Sequence, residues 1–96
     1  MKRYFYKGSI RRLKKQGFKI HFQKDDSKRF VYAHRGEDTD YENSIYIFLG
    51  EAMIIGNTKN EITFNKYGRS NDGIEEYIKD LLEADLVRIE ERENKQ

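Results

Sequence analysis

The chain has no cysteine, no proline and no tryptophan among its 96 residues. Without cysteine there is no disulfide framework, no thiolate metal site and no cysteine nucleophile. Long apolar runs are missing too. The longest, Ile45 to Leu49, falls far short of the ~18 residues that suggest a membrane span. Met1-Lys2-Arg3 opens like a signal peptide, but Lys7, Arg11 and Arg12 stand where an apolar segment belongs. A cytoplasmic location is therefore expected, with no membrane. Alanine and valine are scarce beside ten isoleucines and many Lys, Asn, Tyr and Phe. That bias fits an AT-rich coding genome, such as a low-GC bacterium or its phage.

What is present is charge and aromatic bulk. Charged side chains make up 38% of the chain, against ~25% in an average soluble protein. Leu, Ile, Val and Phe still supply twenty-three residues, above the ~20% level below which chains tend not to fold. Seven tyrosines and six phenylalanines add bulk that disordered chains lack. The length leaves room for one small domain, residues 1–96, with a frayed polar tail from about Glu90.

The net charge of +2 conceals a strong asymmetry. Residues 1–36 hold twelve Lys and Arg against two Asp, a balance of +10. Residues 37–96 hold seven basic and fifteen acidic side chains, a balance of −8. Such a split suggests a basic surface for an anionic partner. The plainer alternative is that the halves neutralise each other once folded, or through head-to-tail contacts between copies.

Tyr4 to Tyr6 reads as a short strand. Ser9 is a good N-cap for a short helix from Ile10 to Gln16, and Gly17 suits the left-handed position that ends it. Phe18 then falls where a Schellman motif sets an apolar residue against Leu13. Arg11 and Arg12 sit in the first turn, where the helix dipole disfavours cations by some tenths of a kcal/mol. Lys19 to Lys24 and Arg29 to Arg35 alternate as two strands of a hairpin around Asp25-Asp26-Ser27. A three-residue turn sets Phe22 opposite Phe30 and Ile20 opposite Tyr32, with the aromatics in the core. A four-residue loop, Asp25 to Lys28, sets Phe22 opposite Val31 and Ile20 opposite Ala33. It leaves Phe30, Tyr32 and His34 outside with Lys19, His21 and Gln23. One residue of slip moves every side chain to the other face. The first register buries more apolar area, at about 25 cal/mol per Å², and is favoured on that ground.

Ser44 to Leu49 is apolar on both faces, as a central strand would be. Gly50-Glu51 suits a tight turn into a strand at Ala52 to Gly56. Asn57 to Asn60 turns again, and Glu61 to Lys66 alternates with Ile62 and Phe64 inward. After a loop at Gly68 to Asn71, Asp72 and Glu75 have capping-box spacing. Ile74, Tyr77, Ile78, Leu81, Leu82, Leu86 and Ile89 hold one helical stripe behind them. The alternative ends that helix near Ala84 and makes Leu86 to Glu91 a strand. The expected fold is α+β: an antiparallel sheet of four to five strands, the long C-terminal helix on one face and the short basic helix weakly guarding the other.

Catalytic signals are few. His21 and His34 approach each other only in the second hairpin register, and a zinc site usually needs three or four ligands. Asp38-Thr39-Asp40-Tyr41-Glu42 alternates like a calcium loop but has Asn43 where Gly belongs and Leu49 where the bidentate Glu belongs. No serine has a nucleophile motif around it. A phosphate at the helix start near Asp72 would be repelled by Glu75 and Glu76. No catalytic residue, metal site or cofactor is expected, and no enzyme activity.

Binding is the better expectation. Lys28-Arg29-Phe30-Val31-Tyr32-Ala33-His34-Arg35 interleaves cations with rings, as single-stranded nucleic acid requires. It lacks the glycine and the second aromatic-bearing strand that an RNA-recognition motif would show. The candidate contact residues are Arg11, Arg12, Lys14, Lys15, Lys19, His21, Lys28, Arg29, Tyr32, His34 and Arg35. The leading expectation is a protein-binding accessory or inhibitor module, phage- or mobile-element-encoded and acting on a host nucleic-acid-handling protein. Direct nucleic-acid binding through residues 1–36 is the alternative. A sheet this small, with one good cover, can also leave an apolar patch for a homodimer.

Overall fold

The computed structural model describes residues 2–25, 28–36, 44–50, 59–64 and 73–91. In chain order the elements are β1 (Lys2–Tyr6), α1 (Ile10–Lys15), β2 (Lys19–Asp25), β3 (Lys28–Arg35) and β4 (Ile45–Phe48). They continue as β5 (Glu61–Phe64), α2 (Ile74–Tyr77), α3 (Lys79–Glu83) and β6 (Val87–Glu91). The class is α+β, as expected. Among the described residues, six strands rather than four or five form one antiparallel sheet in the order β2-β3-β4-β5-β1-β6. The first strand is thus drawn into the sheet interior, between β5 and β6. No helix among the described residues is long and apolar enough to cross a membrane.

One sheet face carries Tyr4, Tyr6, Ala33, Ile45, Ile47, Ile62, Phe64 and Val87, packed with Leu13, Ile74, Ile78 and Leu81 of the helices. All three helices therefore share one side. The expectation that α1 guards the opposite face is corrected, and Arg35 gives the reason. Strand β3 directs its guanidinium to the helix side, where it donates to the Gln16 carbonyl behind α1 at 2.9 Å. It also donates to the Tyr77 carbonyl at 2.5 Å and to both Asp80 oxygens at 2.7 and 3.1 Å. Its plane lies 4.4 Å from the Phe18 ring centroid. One side chain thereby ties α1, α2 and α3 to β3.

The single long helix is also corrected. Tyr77's carbonyl accepts from Arg35, and Ile78, at φ −118°, separates α2 from α3. Intrusion of a side chain into the helical hydrogen-bond ladder is a known cause of a kink. The helical stripe persists at Ile74, Ile78 and Leu81, whereas Tyr77 and Ile89 are exposed. After Ala84 the chain leaves the helix, so the alternative strand is the one that forms. Asp85 adopts φ 58°, with Asp85 N–H on the Leu82 carbonyl and Leu86 N–H on the Leu81 carbonyl. That is a Schellman stop, closed by buried Leu86 against Leu81. The N-cap of α2 is Gly73, and Glu75 accepts from Tyr4 Oη at 2.5 Å.

The expected strand at Ala52 to Gly56, the calcium-like loop, the loop before the helix and Asp72 itself lie outside the described residues. So do residues 92–96 of the tail, although Glu90 and Glu91 belong to β6.

Candidate partner-binding surface

Helix α1 forms as its sequence predicts. Ser9 Oγ accepts from Arg12 N–H at 3.2 Å. At the other end Gly17 takes φ 86°, its N–H meets the Lys14 carbonyl and Phe18 N–H meets the Leu13 carbonyl. Leu13 and Phe18 are buried together. Arg11, Arg12, Lys14 and Lys15 are all exposed, and no acidic residue occupies the first turn. The two arginines there oppose the helix dipole with no local compensation.

The hairpin adopts the register that the area argument disfavoured. Ile20 pairs with Ala33, His21 with Tyr32, Phe22 with Val31, and Asp25 with Lys28. Arg35 explains the choice: with Ala33 and Arg35 toward the helices, Tyr32 and His34 must face away. Ala33, fully buried, also fills a position under the helices that a tyrosine would overfill. Phe22 then lies two residues beyond the half-buried Ile20 on the helix side and is 77% exposed. The sequence reading, which set Phe22 in the core, is corrected.

On the outer face the rings form a cross-strand ladder. His21 stacks on Tyr32 at 4.8 Å between centroids, tilted by 19°. Tyr32 meets Tyr46 at 5.6 Å and Phe48 at 6.2 Å, and His34 meets Tyr46 at 4.8 Å. Strand β4 therefore brings two rings to the face of Tyr32, which the sequence reading missed because its segment was apolar on both sides. Alternation of 46 and 48 against 45 and 47 was the available signal. Tyr46 and Phe48 are buried; His21, Tyr32 and His34 are half-buried, and Lys19 beside them is exposed. The two histidine rings come within 5.9 Å. Among the described residues, no group of three or more metal-ligating side chains is found.

The remaining candidates divide. Arg35 is committed to the helices, as described above. Lys28 and Arg29 open β3, with their backbones opposite Asp25 and Lys24.

The opposite end of the sheet uses its arginines internally. Arg3 meets buried Glu61 through two hydrogen bonds, at 2.9 and 2.6 Å. The guanidinium of Arg3 lies 5.5 Å, and that of Arg88 4.5 Å, from the ring of buried Phe5. Arg88 also pairs with Glu90, and Lys7 with Asp85 at 3.2 Å. Ion pairs thus bind Arg3, Lys7 and Arg35 of the basic half to acids of the other half. Arg11, Arg12, Lys14, Lys15 and Lys19 form none among the described residues. Among the described residues, neutralisation between the halves is real but partial.

Two titrations bear on this framework. Burial, with the Glu75 hydrogen bond and charge behind it, pushes the Tyr4 phenol up to about 12. Burial alone would raise the Asp80 carboxyl, but the hydrogen bonds and charge of Arg35, with backbone donors, outweigh it and hold it below its ordinary value.

Comparison of the chain with protein-family models, curated proteins and solved structures finds no match.

Proposed function

We propose that this chain is a non-enzymatic, cytoplasmic protein-binding module: an accessory or inhibitor protein that acts by occupying a partner's surface. The observation that carries the reading is the sorting of its cations. Arg3, Lys7 and Arg35 are committed to internal pairs, whereas the cations of α1 and Lys19 stand exposed at the end of the sheet that bears the exposed Phe22. Unpaired charge of one sign steers association and selects partners. An exposed ring supplies the apolar anchor on which interface energy concentrates. AT-rich residue usage supports an origin in a phage or mobile element, with a host nucleic-acid-handling protein as target.

A second reading, direct nucleic-acid binding, is favoured by one specific observation. The hairpin register leaves His21, Tyr32 and His34 half-buried on the outer face beside Lys19. Rings next to cations suit stacked bases and phosphates.

Fluorescence anisotropy separates the two readings, using mixed-sequence single-stranded and duplex DNA and RNA at about 50 and 200 mM salt. The protein-binding reading expects no micromolar association even at the lower salt. Micromolar binding that collapses with salt and is lost in Tyr32→Ala would overturn it in favour of nucleic acid. In affinity capture from the source cells, Arg11→Glu with Arg12→Glu should release one specific protein.

A further inference from the structure

Among the described residues the sheet has two edge strands, β2 and β6, and they differ in how open they are to another strand. Strand β6 is five residues long, and Arg88, Glu90 and Glu91 interrupt its apolar positions. Lys2 and Arg3 already stand opposite its glutamates. Strand β2 is seven residues long and pairs with β3 without a bulge from Lys19 to Asp25. Its centre, Ile20-His21-Phe22-Gln23, carries no formal charge. Edge strands are commonly blunted by charge, proline or bulges, because their outward N–H and C=O groups template further pairing. Over these four residues β2 has none of those devices.

Resting on the protein-binding reading above, we propose that the β2 edge accepts an added strand from the partner, and that this strand is an extended acidic segment. Main-chain hydrogen bonds would supply affinity, and alternate side chains specificity, as in other strand-addition complexes. On the helix side an incoming apolar side chain meets Phe22 and Ile20, the first of them 77% exposed. The turn at Gln16 to Phe18 joins α1 directly to β2, so the exposed Arg11, Arg12, Lys14 and Lys15 stand at the same end of the sheet. Carboxylates on the incoming strand complement that charge. A second copy pairing β2 with β2 would offer Lys19, Lys24 and a single carboxylate, Asp25, and so complements that charge less well than an acidic segment does. The β6 edge of a second copy offers glutamates whose strand neighbours are already cations.

The test uses the intact protein and two blocked octapeptides, one alternating Glu with Val and one alternating Lys with Val. Amide hydrogen exchange is read residue by residue at millimolar peptide. The Glu–Val peptide should slow exchange at alternate residues of β2 at least fivefold. Phe22→Ser should weaken that peptide's binding several-fold, and the Lys–Val peptide should produce no protection. Protection by both peptides alike, or no protection of β2 by the acidic one, would overturn strand addition. Slowed exchange confined to α1 would also overturn it, while leaving the protein-binding reading intact. Failure of that reading shows separately, as salt-sensitive nucleic-acid binding in the anisotropy measurement.

Discussion

The two ends of the sheet carry similar residues and use them oppositely. At the β1–β6 end, arginines cover a buried phenylalanine and neutralise a buried glutamate. At the α1–β2 end, two arginines and three lysines face solvent and the phenylalanine of β2 is bare. The difference lies in position. Strand β1 is interior to the sheet, so its side chains meet partners on both sides, whereas β2 is an edge and α1 lies at the rim. A residue type does not reveal its role; the neighbours on adjacent strands do. Cations paired within the fold and cations left exposed are separated by the width of one sheet.

That contrast is sharpest in the stability of variants. Arg3→Ala leaves the Glu61 carboxylate buried without its bidentate partner, and unpairing a buried charge costs about 3–5 kcal/mol. Urea unfolding should show a loss of at least about 3 kcal/mol. Arg35→Ala removes the tie among three helices; because its pair with Asp80 is part-exposed, a smaller loss of about 2 kcal/mol is expected. The Arg35 contact also sets an acid limit. The Asp80 carboxyl lies below its unfolded value in the fold, so its contribution is complete above about pH 4 and is lost as pH falls through the folded value. Acid titration of wild type should show that loss, and Arg35→Ala should flatten it.

A smaller effect is expected at Tyr4, where Tyr4→Phe deletes the hydrogen bond to Glu75 at a cost of about 1 kcal/mol. The phenol is raised to about 12. Its contribution is therefore intact below the unfolded value of about 10 and lost as pH rises toward 12. Alkaline unfolding curves of the variant should lack part of that slope. Smallest of all, Phe22→Ser should shift stability by less than about 0.5 kcal/mol, since an exposed ring has little burial to lose. Thermal melts would break the comparison if Phe22→Ser proved as costly as Arg35→Ala.

Local signals in the sequence were read well and long-range ones poorly. The cap at Ser9, the stop at Gly17-Phe18 and the inward Ile62 and Phe64 follow from neighbours in the chain, and all are present. The kink at Ile78 depends on Arg35, more than forty residues away, and periodicity carries no trace of it. The hairpin register was misjudged for a related reason. Buried area alone favours rings inside, but the helices cover the sheet only as far as Ile20 and Ala33. The candidate surface was legible as basic residues; that Arg35 would leave it and Phe22 would join it was not. Nor was the ladder from His21 to Phe48, because it depends on which strand lies beside β3.

The most direct test that the exposed α1–β2 end is spare to the fold is the equilibrium unfolding free energy of a triple variant, Arg11→Glu, Arg12→Glu and Phe22→Ser, measured in urea. The account predicts a value within about 0.5 kcal/mol of wild type, or a slight gain from acids in the first turn of α1. A loss of more than about 2 kcal/mol would show that these residues hold the fold together and would contradict the account.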